Sequence, residues 1–86
     1  GMVNHLVPDD DLESYTYGLA GEITRCAPLS LKGAKYILTR IAENPKPSPE
    51  AMSEFNAMCD QAMHSDDHEE AKRAFKEKRK PVFKGR

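Results

Sequence analysis

Eighty-six residues, 38% of them hydrophobic and 31% charged, have room for one small domain around a modest core. A formal net charge of -1 implies neither nucleic acid nor an anionic membrane as partner. No apolar run has the length of a membrane span, and no signal peptide or lipidation motif is evident, so the composition points to a soluble, cytoplasmic protein. The small core leaves self-association, or a partner domain, as ways of completing it.

Charge is unevenly distributed along the chain. From Pro49 to Ala71 the only charged residues are acidic, and from Lys72 to Arg86 the only acid is Glu77. The two cysteines, Cys26 and Cys59, have neither metal-site nor redox spacing and read as reduced, half-buried thiols. Gly1 ahead of a start-like Met2 resembles the scar of a cleaved tag.

Val3 to Val7, stopped by Pro8, reads as a short edge strand or an extended lead-in. Asp9, Asp10 and Asp11 then open a helix with Leu12, Tyr15 or Thr16, Leu19, Ile23 and Cys26 at helical spacing, and Gly18 and Gly21 suggest close packing by a neighbour. Pro28 suits the first position of a second helix, whose apolar face is read as Leu31, Ala34, Leu38 and Ile41, with Ile37 beside them. The run Asn44–Pro49, with Pro at every second position, is a stiff linker. Ser48 and Pro49 cap a third helix with the stripe Met52, Phe55, Cys59, Ala62 and Met63.

The fourth helix begins at Ser65, with Asp66, Asp67, Glu69 and Glu70 complementing the positive end of its dipole. Its inward face is read as Ala71, Ala74, Phe75 and the stem of Lys78. Lys72, Arg73, Lys76, Lys78, Arg79 and Lys80 load its last turns, and Pro81 is expected to end it. The fold expected is all-α: about four amphipathic helices behind a short extended lead-in.

Chemistry is sparse in this pattern. His64 and His68, near Cys59, Asp60, Asp67 and Glu69, could in principle hold zinc, but the spacing is loose and solvated histidines at a helix start are the simpler reading, so no metal site is assigned. No nucleophile triad or phosphate-binding glycine loop stands out, and no catalytic residue is assigned. The basic end can be a solvated helix terminus with no further role. A nucleic-acid contact lacks the expected aromatic interleaving. A phosphate-bearing ligand is the third reading: Phe75 and Lys78, three apart, would share a helix face, so that a ring meets a flat base and an ammonium meets a phosphate.

Three stretches carry a resemblance that covers the whole chain. Gly1 to Pro8 is similar to the lead-in Gly-Leu-Val-Asn-x-Val-Val-Pro of the crotonase superfamily, the enoyl-CoA hydratase/isomerase family, and Ala27, Pro28 and Lys35 match its Ala-Pro and downstream Lys. The end is more specific. Ser65, Asp67 and Glu70, then Ala74, Phe75, Glu77, Lys78, Arg79, Pro81, Phe83 and Gly85, resemble the family's Ser-x-Asp-x-x-Glu-Gly and Ala-Phe-x-Glu-Lys-Arg-x-Pro-x-Phe pattern. Ala71 departs from it where Gly is usual, Lys76 stands at a commonly apolar position, and the linker is richer in Pro.

The resemblance implies that residues 1–86 are a crotonase-like C-terminal helical domain without the catalytic α/β core. Such segments pack on that core, build trimers and touch acyl-CoA with their last helix. Carried over by position, Phe75 would lie near the adenine and Lys78 near the nucleotide phosphates, making acyl-CoA a weak ligand of these residues alone and no cofactor. Glu70 and Glu77 resemble residues of this segment rather than catalytic ones. The partners implied are further copies of the chain, as a dimer or in trimer-type contacts, and a crotonase core. The alternative is a free-standing helical interaction module without catalysis.

Overall fold

Proline and serine divide the chain into its helices. The structure, a computed structural model, describes all residues from Gly1 to Arg86. It contains α1 (Asp9–Ile23), α2 (Pro28–Glu43), α3 (Pro49–Met63) and α4 (Asp66–Lys76), and no strand. Pro28 and Pro49 occupy the first positions of α2 and α3, where a missing N–H leaves no bond unmade. The Ser48 hydroxyl accepts from the Ala51 amide at 3.3 Å. Ser65 does more: its hydroxyl accepts from the His68 amide at 3.1 Å and donates to the Ala62 carbonyl at 2.7 Å, tying the end of α3 to the start of α4. The lead-in forms no strand and bends at Asn4, and His5 leans on Tyr15 of α1 with ring centroids 5.5 Å apart.

Packing runs from each helix to the next. α2 lies on α3 and α3 on α4, while α1 packs on no other helix and buries no residue. The molecule measures 45 × 41 × 17 Å. With so few contacts between helices, each keeps much of its surface open. The radius of gyration is 16.4 Å, against about 12 Å for a compact chain of this length.

Only Gly33, Phe55, Ser65, Asp67 and Ala74 are buried. The seam between α2 and α3 is turned relative to the sequence expectation. On α2 it is formed by Leu29, Gly33, Tyr36 and Ile37, while Leu38 is 67% exposed. On α3 it is Ala51, Phe55, Met58 and Ala62, with Met52, Cys59 and Met63 exposed. Tyr36 sets its ring edge-on to Phe55 and donates its hydroxyl to Glu54 at 3.0 Å, a polar anchor that turns α2 about its axis. The glycine at the close approach is Gly33, where an added Cβ would stand 3.9 Å from that of Met58. Gly18 and Gly21, expected to mark packing, have nothing within 4 Å. Both cysteines are free and exposed, not half-buried. No helix is long and apolar enough to cross a membrane.

Candidate functional site: the C-terminal turn and strap of α4

α4 stops at Lys76, well before Pro81. Glu77 caps it, the Lys78 amide donates to the Phe75 carbonyl at 3.2 Å, and the Arg79 amide reaches back to the Ala74 carbonyl at 3.0 Å. These two bonds are a Schellman closure, with Lys78 in the left-handed position that glycine usually fills, at φ 53°. Lys78 is therefore off the helix and does not share a helical face with Phe75. The short turn nevertheless keeps the two together. Phe75, expected on the inward face, is 85% exposed, and Ala74 alone of that set is buried, with Ala71 half-buried.

Beyond the turn the chain folds back along α4 as a strap. Glu70 is its first anchor. Both carboxylate oxygens take the Arg79 guanidinium, the second at 3.0 Å, while the Val82 amide donates at 3.0 Å and Arg73 sits 3.0 Å away. The Arg79 guanidinium, followed by the Val82 amide, holds the Glu70 carboxyl down at about 2. Arg79 also meets Glu77, and the two carboxylates raise its own already high pKa. Asp67 is the second anchor. Its side chain is 2% exposed and accepts from the amides of Lys84 at 2.6 Å and Gly85 at 2.7 Å, and its own amide donates to the Arg86 carbonyl.

Gly85 adopts φ 76°, and an added Cβ would stand 3.7 Å from Pro28, so the strap joins the end of α4 to the start of α2. Between Lys80, Pro81 and Phe83 on the strap and Arg25, Cys26 and Pro28 at the α1–α2 corner lies an open cleft of about 730 Å³.

The carboxylates sort the cations at this end. Lys72 pairs with Glu69, Arg73 with Glu70, and Arg79 with Glu70 and Glu77. Lys76, Lys78 and Lys80 form no ion pair. An exposed ring and three lysines without an ion pair thus fall within six residues of chain, residue types suited to a flat aromatic group that carries phosphate. At the other end of α4, the His64 ring lies 2.8 Å from the Asp60 carbonyl, and no group of three or more His, Cys, Asp or Glu converges as a metal site would require. Sequence reading singled out Phe75 and Lys78 as candidates and did not anticipate the anchoring parts of Asp67 and Glu70. Their three-residue spacing, which puts both on one face of α4, is the signal that could have found them.

A slab of four helices closed by a carboxylate-anchored strap is the class of structure defined by these features. The family model of the enoyl-CoA hydratase/isomerase proteins matches residues 1–86, and the chain belongs to this family, within the crotonase superfamily. It is 33% identical over 85 residues to the methylmalonyl-CoA decarboxylase of Escherichia coli K12, a match covering 99% of this chain and 33% of that protein. Among solved structures it is similar to the enoyl-CoA hydratase of Mycobacterium tuberculosis H37Rv, with a TM-score of 0.84, 30% identity and coverage of 100% of this chain and 33% of that one. It is similar also to a structure ascribed to an enoyl-CoA hydratase/isomerase of Mycobacterium abscessus, with a TM-score of 0.86, 31% identity and coverage of 100% and 35%. The chain spans about a third of the length of these relatives.

Proposed function

We propose that this chain acts as the oligomerising and CoA-contacting segment of a protein that works on acyl-CoA thioesters, with Phe75 facing the adenine and Lys78 the nucleotide phosphates. The observation that carries the reading is an exposed Phe75 ring in a stretch where Lys76, Lys78 and Lys80 form no ion pair, in a member of this family. The partners proposed are further copies of this chain and an enoyl-CoA hydratase/isomerase core.

Surface area supports an assembly role. The chain exposes 7446 Å², whereas a compact monomer of 9.7 kDa exposes about 5,100 Å². The excess, roughly 2,300 Å² on one chain, is well above the share of about 800 Å² that each partner buries in a standard interface. It includes the face of α1 bearing Leu12, Leu19 and Ile23, each at least 44% exposed, and an apolar groove of about 280 Å³ between α2 and α3 lined by Leu29, Ile37, Met58 and Met63.

Binding of CoA by these residues alone is expected to be weak, because an exposed ammonium and phosphate contribute under about 1 kcal/mol after screening. A Kd in the millimolar range, about 4 kcal/mol, follows. Ligand-observed NMR with CoA and with CoA lacking its 3'-phosphate tests the assignment. Weaker binding of the second compound, and loss of the difference in Lys78→Ala, are expected. Micromolar binding, or weak binding indifferent to Lys78→Ala, would overturn it.

A further inference from the structure

We propose that Glu70 is the positioning residue of the turn that presents Phe75 and Lys78. This rests on the CoA-contacting reading for its functional meaning, while its geometric content stands apart from it.

The turn needs an external hold. Its C' residue is a lysine, and a side chain disfavours the left-handed backbone, so the two closing hydrogen bonds work against a local preference for opening. Neither Phe75 nor Lys78 is packed: both are exposed, so apolar burial does not fix them. What immediately follows Lys78 is fixed. Arg79 is held by both oxygens of Glu70, and Val82 by the same carboxylate, so one side chain on α4 grips the chain on the far side of the turn at two points. A guanidinium held by a fork-shaped acceptor is restrained in direction as well as in distance, and the Arg79 amide, which closes the turn on Ala74, belongs to the same residue. Glu70 also pairs with Arg73 and Arg79, so that the cations without an ion pair around the turn are Lys76, Lys78 and Lys80. The Glu70 side chain is only 13% exposed, which limits competition from water.

Substitution separates positioning from mere support. Glu70→Gln keeps the size of the side chain and removes its charge. Amide hydrogen exchange at Lys78, Arg79 and Val82 is expected to quicken by about tenfold or more, as loss of a charge-assisted anchor implies, while the amides of α3 around Phe55 are unchanged. Arg79→Gln should have a similar effect, and the double variant should add little to either. Unchanged exchange at Lys78 and Arg79, or strictly additive effects, would overturn the proposal.

The ligand arm uses CoA and its form lacking the 3'-phosphate. Glu70→Gln is expected to lower the preference for the 3'-phosphate in the wild-type background and to leave it unaltered in Lys78→Ala, which keeps the same backbone preference. An equal loss in both backgrounds would mean that Glu70 acts through general support, against the proposal. A wild-type chain that ignores CoA while Glu70→Gln still loosens the turn would sink the CoA reading of the preceding subsection and uphold the grip of Glu70 on the turn.

Discussion

Replacing Asp67 with alanine should release the end of the strap and leave the helices standing. The carboxylate accepts two short backbone hydrogen bonds, from Lys84 at 2.6 Å and Gly85 at 2.7 Å, and is itself 2% exposed. Hydrogen bonds to a charged group contribute about 1.5–3 kcal/mol each, but the Lys84 residue is exposed and its freed amide can turn to water, so a loss of about 3 kcal/mol in all is the reasonable sum. That corresponds to a change of about a hundredfold in the opening equilibrium of the strap. Native-state amide exchange at Gly85 measures it directly. Asp67→Asn retains one acceptor and should fall between wild type and alanine. Amides in the middle of α4 should move far less, because Asp67 in the first turn contributes only about 0.3–1 kcal/mol through the dipole. Exchange at Gly85 that stayed within threefold of wild type would refute the anchoring role of Asp67.

Lys78→Gly, which removes the side chain from a residue at φ 53°, should stabilise the turn by about 1 kcal/mol in urea unfolding; a destabilised variant would show that the lysine side chain holds the turn together. Below the usual carboxyl value of 4.5 the strap should weaken: the depressed Glu70 pKa means that its contribution is complete above pH 4.5 and is lost as pH falls towards about 2, a dependence that amide exchange at Val82 should show and that Glu70→Gln should abolish. Light scattering is expected to give a mass above that of the monomer at high concentration, and a clean 9.7 kDa species would count against self-association. The 86 residues alone are expected to show no hydration or isomerisation of crotonyl-CoA, and turnover that survives repurification would contradict this.

The helix starts were legible because their signals are chemical and local. Pro28, Pro49, Ser48 and Ser65 each stand at the position that sequence reasoning assigned. The end of α4 was not, because the usual glycine cue is replaced by Lys78, and Pro81 was mistaken for the terminator when it begins the return strap. The α2–α3 seam was misread for a different reason. Periodicity favoured the large apolar side chains Leu38 and Met52, whereas the close approach at Gly33 and the Tyr36–Glu54 hydrogen bond favour a rotated face. Asp67 and Glu70 looked like ordinary dipole-complementing acids. Their partners, the Arg79 guanidinium and the amides of Val82, Lys84 and Gly85, lie 9 to 18 residues further along, which a local pattern does not reveal.

The single-layer arrangement has a consequence for how the chain melts. Helix contacts are confined to α2 on α3 and α3 on α4, and the strap alone bridges α4 to the start of α2, so stability is close to a sum over successive interfaces plus that one closure. α1 has no such interface, and an unsupported helix of 15 residues is marginal in water, so it should lose helicity gradually on warming while α2 to α4 unfold together. Mostly local contacts also favour rapid folding, and whatever surface finally covers α1 acts on a helix–coil equilibrium that lies close to balance.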